Sequence, residues 1–110
     1  MKFQIRVYDN FHYSDETEAY NHGGFETYED AVAGCQAIVD EFLIHNWHTK
    51  IEPGNLLAIF ALYGEDPIVL PDEHGDKKSF SAREYAETAA PEICKKLEEQ
   101  WKRKHSTRKR

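Results

Sequence analysis

The stretch Leu56-Leu57-Ala58-Ile59-Phe60-Ala61-Leu62-Tyr63 decides the fold. As a strand it would join a small sheet as a fully buried member. As a helix it leaves that sheet with about three strands. Eight apolar residues are too few for periodicity to separate the two readings. The composition and the neighbours favour a helix. Ala58 and Ala61 are poor strand formers, and Gly64 sits where a C′ glycine ends a helix. A short helix is therefore expected here. Pro53-Gly54 marks the turn that precedes it, within a connection from Trp47 to Asn55. Glu65-Asp66-Pro67 reads as a turn into a short strand, Ile68 to Leu70. Residues 71–79, with Asp72, Glu73, Gly75 and Asp76, read as a surface loop.

Toward the N-terminus, Lys2 to Tyr8 alternates: Phe3, Ile5 and Val7 share one face, Lys2, Gln4 and Arg6 the other. That is the pattern of a half-buried strand. A polar, acidic loop follows from Asp9 to Glu18. Ala19 to Phe25 is expected to pair antiparallel with the first strand, with Gly23 and Gly24 marking a bulge or an early end. Thr27 then opens a helix as N-cap, with Glu29 and Asp30 in the first turn facing the exposed N–H groups. Tyr28, Val32, Cys35, Val39 and Phe42 recur at helical spacing, and the helix is expected to end near Asn46.

The last helix has the clearest start. Ser81 and Glu84 form a capping box, and Phe80 is placed to staple onto Tyr85. Tyr85, Ala89, Ile93, Leu97 and Trp101 repeat every four residues. Pro91 lies off that stripe and is expected to kink or split the helix after Ala90. From Lys102 the apolar pattern stops, and KRKHSTRKR reads as a disordered extension. The elements imply an α+β fold. It is a two-layer sandwich: a small, mainly antiparallel sheet of about three strands, with two main helices and one short helix on one face. Residues 1–101 form a single domain and 102–110 a basic tail.

Composition narrows the classes. The chain of 110 residues is 40% apolar and 13% aromatic, which excludes wholesale disorder. No apolar run approaches the roughly 18–20 residues that span a bilayer. The start, MKFQIRVYDN, carries no apolar signal region. A cytoplasmic protein without membrane contact is the expectation. Cys35 and Cys94 fall on helices at or beside apolar stripes and read as small core hydrophobes, with a disulfide between them disfavoured in a reducing compartment.

Charge is distributed unevenly. Residues 1–101 hold twenty Asp/Glu against eight Lys/Arg, a net of −12, and residues 102–110 hold six basic residues and no acidic ones. Lys102, Arg103, Lys104, Arg108, Lys109 and Arg110 are therefore candidates for an interaction tail. Phosphate contact is one use for them. The acidic body repels a polyanion, and no aromatic pattern accompanies the charge, so nucleic acid is disfavoured. Contact with the chain's own body or with an acidic protein partner is preferred. A plain solubilising terminus is the simplest reading.

Catalytic candidates are weak. His12, Asp15 and Glu16 lie in the 9–18 loop with His22 close in sequence, a set able to bind a cation or move protons. The spacing matches no metal loop, and a solvated hairpin loop explains it. Glu65, placed near His74, is a further candidate, though turn chemistry accounts for Gly64 to Pro67. His45 and His48 are three apart but lack a third ligand, and cations suit that helix end. Cys35 sits in an apolar stripe, without the electropositive setting a nucleophile needs. No metal and no cofactor is expected.

Three segments together resemble a family of small uncharacterised bacterial proteins: YDNFHYSDETEAY (8–20), GGFETYEDAVAGCQAIVDEFL (23–43), and YGEDPIVL (63–70) followed by FSAREYA (80–86). The resemblance covers residues 3–87 and omits the basic tail. It implies a bacterial cytosolic setting and assigns no activity, cofactor or partner. The reading of the residues themselves favours a non-enzymatic interaction module forming a homodimer. Six Phe, six Tyr and two Trp are many for a core of this size, and such residues are enriched at interfaces. A small hydrolase or metal-dependent enzyme using loop 9–22, and a nucleic-acid-linked regulator using the tail, are the alternatives.

Overall fold

The computed structural model describes residues 2–9, 20–71 and 79–106. Its elements run β1 (Phe3–Asp9), β2 (Tyr20–Phe25), α1 (Tyr28–Asn46), α2 (Pro53–Tyr63), β3 (Glu65–Leu70) and α3 (Ala82–Ser106). The strands form an antiparallel sheet in the order β2-β1-β3, with β1 central. This is the expected small α+β architecture, and 56–63 is helical.

Ile5 and Val7 of β1 pair with Val69 and Pro67 of β3, and all four are buried on one face. Gln4, Arg6 and Tyr8 alternate onto the other, where Arg6 donates to Asn21 at 3.1 Å. Register between β1 and β2 slips once: Gln4 pairs with Gly24 but Ile5 with His22. Gly23 is the extra residue, at φ +70°, the left-handed region a glycine enters without strain. The bulge read from the Gly-Gly pair is therefore present.

α1 starts as its sequence dictates, with the Asp30 N–H donating to Thr27 Oγ1 at 3.1 Å. It packs on both sides. Tyr28, Ala31, Cys35 and Ile38 join the sheet residues in one apolar cluster, while Val39 and Leu43 join α2 and α3 in a second. Ser81 caps α3 by accepting from the Glu84 N–H at 3.2 Å, and the Phe80 and Tyr85 rings stand 6.2 Å apart as a staple.

The structure departs from the sequence reading in several places. α2 starts at Pro53, so Pro53-Gly54 is its first turn and not a turn before it, with the proline where a helix needs no N–H. β3 begins at Glu65, because Glu65 and Asp66 pair with Asp9 and Tyr8 instead of turning. Pro67 is tolerated because β3 is an edge strand. α3 is one continuous helix through Pro91. Its most deeply buried side chains are small (Ala82, Ala86, Ala89, Ala90 and Cys94), while Tyr85, Ile93, Leu97 and Trp101 are only half buried. α3 also continues to Ser106, so Lys102, Arg103 and Lys104 are helical rather than part of a disordered tail. Lys and Arg are good helix formers. The His105 ring stacks on Trp101 at 4.3 Å, with Nδ1 2.8 Å from the Trp101 carbonyl oxygen, holding the last turns. Arg108, Lys109 and Arg110 lie outside the described residues.

Gly64 ends α2 for a reason other than the one its sequence position suggests. Its φ is −80°, so no left-handed backbone is needed. A Cβ there would meet Phe60 Cδ1 at 2.5 Å and the Phe60 carbonyl oxygen at 2.7 Å. Gly54, in the first turn of α2, has nothing within 4 Å of such an atom. Gly64→Ala is expected to lower stability by about 1–3 kcal/mol through overpacking. Gly54→Ala should raise it by about 0.5–1 kcal/mol through helix propensity and a less flexible unfolded chain. Paired thermal melts measure both; equal effects of the two substitutions would contradict this account.

Candidate interaction surface

Large apolar side chains remain on the surface of the helical layer. Ile44 is 50% exposed, Leu62 59% and Tyr63 57%. The last two belong to α2, whose eleven residues PGNLLAIFALY include no charged side chain in a chain that is 31% charged. Only Leu56 and Phe60 of α2 are buried, and Phe60 meets Phe42 of α1 edge-on at 5.7 Å. Ala58 and Leu62, one turn apart, are exposed on the opposite side. A soluble helix normally turns charge toward water. α2 turns alanine, leucine and tyrosine.

Between α1 and α3 lies a cleft of about 390 Å³. Tyr85, Ala89 and Ile93 give it apolar lining, and Asp40, Glu92 and Lys96 supply charge. The Tyr85 hydroxyl donates to Asp40 Oδ1 at 2.8 Å. Burial, then this bond to a carboxylate, push the Tyr85 phenol from its ordinary value of 10 up to about 12.

Further along α3, Glu98 holds the connection between α1 and α2. It accepts from the Lys50 backbone N–H at 2.9 Å and from Thr49 Oγ1 at 3.1 Å. Lys50 sits at φ +71°, a conformation unusual for a side chain with a Cβ. The Lys50 N–H is the first cause that holds the Glu98 carboxyl below its ordinary value of 4.5.

The sequence candidates for chemistry do not assemble into one site. His12, Asp15, Glu16 and His74 lie outside the described residues. His22 is exposed on β2 opposite Ile5. Glu65 lies on the far side of β1 from it and accepts from the Tyr20 hydroxyl at 2.9 Å. The structure does bring Glu65 beside His45 and Glu41, around a shallow hollow of about 250 Å³. Among the described residues, no group of three His, Cys, Asp or Glu is placed to hold a metal ion. Both cysteines are free and buried. Burial, reinforced by the nearby Asp66, pushes the Cys35 thiol up to about 12, the reverse of what a nucleophile needs. Burial likewise raises Asp66, which lines a small hollow with Phe60 and Arg83.

Sequence reading did not find the Tyr85–Asp40 and Glu98–Lys50 contacts. Their partners are more than forty residues apart, and no local pattern signals them. Among the described residues, no helix is long and apolar enough to cross a membrane. No family model, curated protein or solved structure matches the chain.

Two measurements test this geometry. The depressed folded pKa of Glu98 gives stability that is present above about pH 4.5 and lost as pH falls through the folded value. Glu98→Gln should therefore lower the melting temperature at pH 7 and narrow its gap to wild type as pH drops below 4; a gap constant with pH would contradict the assignment. Ellman's reagent at pH 8 should leave Cys35 unmodified until the protein is denatured, and rapid native labelling of that thiol would contradict its burial.

Proposed function

We propose that the chain is a non-enzymatic protein-interaction module that forms a homodimer, in a bacterial cytosolic setting. The observation that carries this reading is α2: a charge-free helix with Leu62 and Tyr63 more than half exposed. Interface cores are poor in charge and rich in aromatic side chains, and α2 has that composition on its solvent side. Exposed apolar groups that share one element, with no charge between them, favour association over isolated solvation. The half-exposed stripe of α3 adds to the same supply of apolar surface.

Size-exclusion chromatography with light scattering tests the reading. A mass near twice 12.8 kDa is expected at micromolar concentration. Leu62→Asp should lower affinity for whatever covers α2, self or partner, by roughly tenfold or more, the size of an interface hot spot. A strict monomer at the highest attainable concentration removes the homodimer.

A further inference from the structure

The end of α2, the start of β3 and the start of α3 surround a small hollow of about 150 Å³, lined by Phe60, Ala61, Asp66 and Arg83. Ordinary small-molecule pockets hold roughly 300–1,000 Å³, so this one is nearer the size of a single side chain. Its two charges do not meet. Among the described residues, no hydrogen bond or ion pair reaches the half-buried Asp66 carboxylate. Arg83 turns instead to Glu87, one turn further along α3, at 3.8 Å. Their side chains are 67% and 55% exposed. An exposed pair of that kind is worth little and is readily exchanged for a better one. A half-buried carboxylate without a donor is the more costly group, because burial strips its hydration and nothing replaces it. Glu65 does not share the hollow: it is the preceding strand residue, on the opposite face, where the Tyr20 hydroxyl donates to it.

The hollow borders the exposed side of α2. Ala61 is next to Leu62 and three residues after Ala58, and both of those are exposed. Whatever covers α2 is thereby brought to the mouth of the hollow. A second copy carries the required cation at the matching place. Asp66 and Arg83 line the same hollow, so a two-fold axis beside Leu62 sets hollow against hollow, with the Arg83 of each copy facing the Asp66 of the other. Such a contact is made twice and is closed. The planar guanidinium suits a carboxylate at an interface. α2 itself brings no charge, so bodies of net −12 over residues 1–101 meet across a neutral helix.

We propose that two copies pair through α2 about a two-fold axis beside Leu62, each placing its Arg83 in the hollow of the other against Asp66. This rests on the homodimer reading and names its polar contact.

Sedimentation equilibrium of the full chain tests it with Asp66→Arg, with Arg83→Asp, and with an equimolar mixture of the two. Alone, each variant sets like charges against each other twice and should weaken the dimer by about tenfold or more. In the mixture one chain carries two cations at this edge and the other carries two carboxylates. Both crossings are then attractive, and association should return to within about threefold of wild type. Circular dichroism checks that each variant is folded. If Asp66→Arg unfolds the half-buried site, Asp66→Asn and Arg83→Gln serve in its place, alone and together. The double variant should then bind within about twofold of the weaker single variant, because both remove the same contact. Additive losses overturn the crossed pairs. A mixture no tighter than the single variants, while Leu62→Asp still breaks the wild-type dimer, overturns them too and leaves self-association standing on α2. A wild type that stays monomeric removes the homodimer reading together with the crossed pairs.

Discussion

The structure depends on α1 being apolar on more than one side. Ala31, Cys35 and Ile38 close over Ile5, Val7 and Val69 of the sheet, and Val39 and Leu43 carry the same helix into the cluster of α2 and α3. Without that bridge the sheet has no layer above it and the helices have nothing to stand on. A sheet that is apolar on one face must bury that face against another element. Gly34 permits the close approach, since a Cβ there would come within 2.8 Å of Ile5 Cδ1. The two cysteines follow from this role. Each fills space in one of the two clusters, and burial keeps both as protonated thiols.

Local signals were legible and non-local ones were not. Thr27 and Ser81 announce their helices because a cap is decided within four residues, and Gly23-Gly24 announces a bulge because only glycine takes φ +70° freely. Glu65-Asp66-Pro67 misled, because turn chemistry is also local, whereas pairing with Asp9 and Tyr8 spans more than fifty residues. The large side chains of α3 suggested a buried stripe. The helix is instead pressed into the core along alanines, with Tyr85 and Ile93 packed half buried against the same cluster and Leu97 and Trp101 half buried beyond it. The cessation of apolar residues after Trp101 looks, in the sequence, like an end of structure. It is an end of burial, and the helix outlasts it.

That difference changes what the charge split means. A disordered basic tail would neutralise the acidic body of its own chain, and the sequence would then describe a self-contained monomer. The structure instead carries Lys102, Arg103 and Lys104 on the regular last turns of α3, beyond its buried residues. The Tyr85–Asp40 bond ties α3 to α1 well before those last turns.

The sheet edges give the molecule a property unrelated to its helices. On β3, Pro67 has no N–H to offer, and Glu65 and Asp66 stand beside it in the strand. On β2, the bulge at Gly23 breaks the register that an added strand would have to follow. An incoming extended chain therefore meets a missing donor and two carboxylates on one side and an irregular ladder on the other. The molecule is poorly suited to growing ribbons or fibrils through its sheet, even when crowded or partly frayed.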